Sequence, residues 1–169
     1  MTSYELFTGF SSDEAAEVFG WLHENDRAAY KTTARLLATR RKLRPIFVER
    51  KPREERHAWM KDALGKPANS DLASEILQAW TMGANGPAVC SFLDSLAIPH
   101  DGKGLLESLP PEPPTDEISR AVDELFSKYP ASAVRVYLNL FTSMEMTEWP
   151  CLRALVSTDS RLCPNPQNP

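Results

Sequence analysis

Residues 11–25, SSDEAAEVFGWLHEN, read as a helix from one end to the other and decide the class of the fold. Ser11 followed three residues on by Glu14 is a capping box, and Phe10 just outside it is placed for a hydrophobic staple. Ala15, Val18, Phe19 and Leu22 then recur at three- and four-residue spacing, so they share one helical face.

The pattern repeats outward from that stretch. Asp26 is the next N-cap and opens a helix through Tyr30, Thr33 and Leu37 that stops before Pro45. Pro52 suits the first turn of a third helix, with Glu54 and Glu55 near its positive end, Trp59, Met60, Ala63 and Leu64 on its apolar side, and Gly65 as its stop. Asn69 or Ser70 caps a fourth, carrying Leu72, Ile76, Ala79 and Trp80. Pro87 starts a fifth, with Val89, Phe92, Leu93 and Leu96 at helical spacing, and Pro99 ends it. Thr115 caps a sixth, with Ile118, Val122 and Leu125 inward. Pro130 opens a seventh whose Val134, Val136, Tyr137, Leu138, Leu140 and Phe141 cover more than one face, as a centrally packed helix requires. Pro150 starts a last short one with Leu152, Leu155 and Val156.

Two segments break the rhythm. LPPEPP, at 109–114, cannot be helical, because proline removes backbone donors and fixes φ; it reads as a semi-rigid spacer. PIFVER, at 45–50, is short, apolar and β-branched, and no second segment offers it a strand partner. It reads as an extended connector anchored by Ile46 and Val48.

The expected fold is therefore all-α: a single compact domain over residues 1–163, with seven or eight helices stacked as hairpins. The spacer lies between a five-helix part and a three-helix part too small to be stable alone, and a disordered tail occupies 164–169. The expected core comprises Phe19, Leu22, Leu37, Trp59, Ile76, Trp80, Phe92, Leu96, Val122, Leu125, Leu138 and Phe141.

Composition narrows the setting. The 169 residues are 42% hydrophobic and 25% charged, ordinary values for a globular protein. The first residues lack a basic n-region and a long apolar run, and no stretch approaches the ~20 apolar residues of a membrane span. Three cysteines, Cys90, Cys151 and Cys163, widely spaced and odd in number, suit a reducing compartment, so the expected address is the cytoplasm. The net charge of −4 conceals a polarity: Arg27 to Lys66 carries +9, and the rest of the chain −13.

No chemical motif stands out. His100-Asp101 echoes half of the metal set of helical HD phosphohydrolases, with His57 and Asp123 or Asp159 as the missing members, but it lies in a turn between Pro99 and Gly102. Glu54 and His57 form one Glu-x-x-His where a di-iron bundle uses two. There is no GxSxG, no protease-type cysteine signature, and Gly102-Lys103-Gly104 lacks the flanking residues of a phosphate loop. The acidic pairs Glu54-Glu55, Asp116-Glu117 and Asp123-Glu124 mostly fall at helix starts or on exposed faces. No catalytic residue, metal ligand or cofactor is assigned.

The basic run RRKLRPIFVERKPREER is the remaining candidate for binding, through Arg40, Arg41, Lys42, Arg44, Arg50, Lys51, Arg53 and Arg56. Tyr30, Phe47 and Trp59 lie near enough in sequence to offer stacking, a mixture that suits a nucleic-acid backbone. Against that, Glu49, Glu54 and Glu55 interrupt the run, and no known nucleic-acid-binding signature accompanies it. Arginine is also the usual partner of carboxylates at protein interfaces. The first reading is thus a non-catalytic interaction protein (an adaptor, subunit or scaffold that binds a protein partner or itself), the second a nucleic-acid-associated protein, and the third an enzyme with an unrecognised site.

Four stretches, RKLRPIFVERKPREERHAWM, FLDSLAIPHDGKG, AVDELFSKYP with VRVYLNLF, and WPCLRALV, together resemble a family of small, uncharacterised bacterial helical proteins. The resemblance covers most of residues 30–160 and implies one conserved unit. It brings no activity, cofactor or catalytic residue with it.

Overall fold

The computed structural model describes residues 1–144 and 148–163. The tail expectation for 164–169 lies outside the described residues. Among those described, the chain forms ten α-helices and one 3-10 turn, with no strand. It divides into two compact units, Thr2–Trp80 and Thr81–Pro169.

The first unit contains α1 (Ser3–Gly9), α2 (Ser12–Asn25), α3 (Arg27–Arg40), α4 (Pro45–Glu49), α5 (Arg53–Leu64), the 3-10 turn Pro67–Asn69, and most of α6 (Ser70–Ala84). The caps at Ser11 and Asp26 form as the sequence implies, whereas Thr115 does not cap its helix but is its first residue, behind Pro114. Ser11 Oγ accepts from the Glu14 amide at 3.1 Å while Glu14 Oε2 accepts from the Ser11 amide at 2.8 Å, and Asp26 Oδ1 accepts from the Ala29 amide at 2.9 Å. α5 packs against α1, α2 and α3, so the unit is organised around one helix rather than as successive hairpins. Phe7 stacks on Phe19 with 5.7 Å between ring centroids, and Leu22, Leu37, Met60 and Leu64 are almost completely buried. Asn69, also buried, donates from Nδ2 to Ala63 O at 2.8 Å and pins the end of α5 to the start of α6.

The second unit contains α7 (Gly86–Ser95), α8 (Thr115–Lys128), α9 (Ala131–Ser143) and α10 (Pro150–Thr158). α9 is buried around nearly its whole circumference, as its apolar composition demands. Phe92 packs edge-on against Tyr137 and Phe141, and Phe141 against Trp149. The proline-rich segment 109–114 is not helical, and it is tied down within this unit. Pro110 O accepts from Trp149 Nε1 at 3.0 Å, and Glu112 Oε1 accepts from the Leu152 amide at 2.8 Å, in the first turn of α10. A remote carboxylate thus satisfies a donor that the helix itself leaves open.

Three sequence expectations need correction. The helix count is ten rather than seven or eight, because α1 and α4 span at most two turns and display too little periodicity to be read. PIFVER is not extended: Pro45 supplies the preset φ of a first helical turn, Arg44 before it is held extended as a residue preceding proline should be, and the Arg50 amide donates to Ile46 O at 3.1 Å. Of the twelve expected core residues eleven are buried; Trp59 is half-buried, its ring covered by the Arg41 guanidinium at 5.5 Å.

Candidate functional site

The basic segment lies wholly in the first unit, and the fold sorts its eight side chains into two groups. Arg40, at the end of α3, makes a two-pronged pair with Asp71 in the first turn of α6, at 2.9 and 2.6 Å, and also donates to Ala68 O and Asn69 Oδ1. Those hydrogen bonds hold the Asp71 carboxyl well below the usual carboxylate range. Arg41 pairs with Asp62 at 2.7 Å while lying over Trp59, and with Lys66 it lowers the Asp62 carboxyl as well. Arg53 faces Glu24 at 3.6 Å, and Lys51 faces Glu55 at 3.5 Å. Arg56 donates to Glu49 O and Lys51 O, clamping the link between α4 and α5. These five are structural cations.

The second group is Lys42, Arg44 and Arg50. All three are exposed, and none forms an ion pair among the described residues. Glu49, the carboxylate nearest in sequence, is taken by Arg35 at 2.9 Å. They flank Leu43, Ile46 and Phe47, which are 42%, 44% and 63% exposed. Of Ile46 and Val48, the two residues expected to anchor the segment, only Val48 is buried. Leu43, Ile46 and Phe47 were missed as surface residues. The signal was present for two of them: read as helix, Ile46 and Phe47 turn away from Val48, while Leu43 lies in the turn before α4.

The turn that presents them is well defined. The Leu43 amide donates to Ala38 O at 2.8 Å and the Lys42 amide to Thr39 O at 2.9 Å, which is a Schellman ending for α3. Lys42 sits at its left-handed position, with φ +56°, where glycine is the unstrained choice.

Of the aromatic residues offered for stacking, only Phe47 is open. Tyr30 is buried against His23 and His57, and Trp59 is covered by Arg41.

The remaining candidates act as parts of the fold. The His57 ring is closed in by Phe19 and Tyr30, at centroid distances of 5.4 and 6.0 Å. Burial, with Arg53, Arg56 and His23 nearby, pushes its pKa down to about 4, so the ring is neutral at pH 7. It borders an open cleft of about 750 Å³ together with Asp13, Arg53, Glu54 and Lys61. His100 Nδ1 accepts from the Gly102 amide at 3.1 Å and Nε2 lies 3.0 Å from Asp94 Oδ1, so both ring nitrogens are engaged in shaping the turn. Asp101 Oδ1 accepts from the Lys103 and Leu105 amides in the same turn. Cys90 donates to Gly102 O, and burial with Asp94 and Asp101 nearby raises its thiol pKa, the opposite of what a nucleophile needs. Among the described residues no three His, Cys, Asp or Glu side chains converge as metal ligands would, and no helix is long and apolar enough to cross a membrane.

The chain matches no protein-family model, no curated protein and no solved structure.

Proposed function

We propose that this protein is a non-catalytic helical interaction protein of the bacterial cytoplasm, and that the α3–α4 corner is the surface by which it holds a protein partner. The observation that carries the reading is the set Leu43, Ile46 and Phe47: three large apolar side chains exposed within five residues of sequence, where Val48 is buried. Contiguous exposed apolar side chains rimmed by charge are the usual anatomy of a binding patch. The nucleic-acid alternative loses support because five of the eight basic side chains in the run are occupied by contacts within their own unit. Three exposed cations and one open aromatic ring make a short track for a phosphate backbone.

The test is a photocrosslinking benzoylphenylalanine in place of Phe47 in the full chain, activated in the cell of origin. The expected product is a discrete protein adduct, resistant to nuclease and absent when Leu43 and Ile46 are changed to Ser. An adduct removed by nuclease, or no adduct above that of a probe at exposed Arg120, overturns the reading.

A further inference from the structure

Resting on that protein-binding reading, we infer that the element docking on the α3–α4 corner is an acidic amphipathic segment, whose apolar side chains cover Leu43, Ile46 and Phe47 while its carboxylates meet Lys42, Arg44 and Arg50. The charge ledger of the corner points there. Every other basic side chain in the run has a carboxylate or carbonyl within its own unit; these three have none among the described residues, and Arg35 has taken the one glutamate of α4. An arginine fork is built for a two-pronged carboxylate contact, and two of the three cations are arginines.

The apolar residues exclude the competing occupants. Leu43, Ile46 and Phe47 are interspersed with the cations between residues 42 and 50, so a ligand satisfying all six must carry both apolar and acidic groups. A phosphate backbone would lay charge across the apolar side chains. A second copy docking through the same corner would set the three cations against themselves, since a two-fold contact brings like surface to like.

Lys42 adds an independent mark. Its left-handed backbone, at φ +56°, is one that a non-glycine residue adopts only under strain. A cation stands where fold stability alone would favour glycine, next to the exposed apolar set.

The probes are two fluorescein-labelled helical peptides of about 15 residues, with leucines at helical spacing and flanks of Glu in one and Lys in the other. Each is titrated against the full chain by fluorescence anisotropy at about 0.05 and 0.15 M salt. The Glu peptide is expected to bind about tenfold or more tightly than the Lys peptide, with the gap narrowing at higher salt. K42E/R44E/R50E reverses the preference, and Phe47→Ala weakens the Glu peptide. Lys42→Gly, which relaxes the turn and so keeps the fold, weakens it about threefold. Equal binding of the two peptides, binding of neither, or a preference unmoved by charge reversal overturns the inference. So does tighter binding to polyuridylate or to phosphatidylserine vesicles than to the Glu peptide. The Phe47 crosslink separates the two failures: a protein adduct that persists in K42E/R44E/R50E leaves the protein-binding reading standing and removes only the acidic partner.

Discussion

His57 makes the stability of the first unit depend on pH in a direction that can be worked out in advance. The side chain is 5% exposed and packed between Phe19 and Tyr30. Its pKa is held down to about 4 by burial and by Arg53, Arg56 and His23, against 6.5 for a free histidine. The unfolded chain therefore binds a proton more readily than the folded one. Stability from this group is complete above pH 6.5 and is lost as pH falls through 6.5 towards 4. Each pH unit in that window costs about 1.4 kcal/mol, so the whole window removes at most about 3.5 kcal/mol, a large part of the stability of a small domain. Carboxylates lowered by arginine, such as Asp62 and Asp71, also weaken the fold in acid, so the wild type alone is not diagnostic. The measurement is urea unfolding at pH 7.5 and 4.5 for wild type and for His57→Leu, with the His57 Cε1 proton titrated by NMR. The variant is expected to lose about 2–3 kcal/mol less than wild type between the two pH values. A His57 resonance titrating near 6.5, or identical pH dependence in the two proteins, refutes the argument.

Three further outcomes are expected from urea unfolding of single variants. Ala97, at φ +53°, closes α7 with a second Schellman turn, so Ala97→Gly should stabilise by about 1 kcal/mol; a loss of stability would contradict this. Phe92, fully buried against Tyr137 and Phe141, should cost about 3–5 kcal/mol as Phe92→Ala, and a cost below about 1 kcal/mol would remove it from the core. Glu112→Ala leaves the Leu152 amide without its acceptor and should cost about 1 kcal/mol, detectable also as faster hydrogen exchange in the first turn of α10.

Most of the helices were legible because a helix three or more turns long repeats its apolar residues often enough to reveal a face. α2 displays both its cap and its stripe in the linear order of residues, and α7 and α8 their stripes. α4 was not legible, since five residues show no period and β-branched Ile46 and Val48 point locally to extended chain. Pro45 at the first turn and the docking of Val48 on the rest of the unit overrule that preference. The same misreading concealed the candidate surface, for an extended segment sends alternate side chains to opposite sides, whereas the helix turns Ile46 and Phe47 outward together.

The sequence by itself determined the all-helical class, the principal breaks and the presence of an unusual basic run. Those properties rest on local spacing, backbone chemistry and counting, all of which are written along the chain. Only the tertiary structure decided which cations are spent and which are free. Arg40 finds Asp71, Arg41 finds Asp62 and Arg53 finds Glu24 across 21 to 31 positions of chain, while Lys42, Arg44 and Arg50 find no carboxylate among the described residues. Charge pairing falls off within a few ångströms of contact in water and salt, so it depends on which helices meet, and no count along the sequence carries that information.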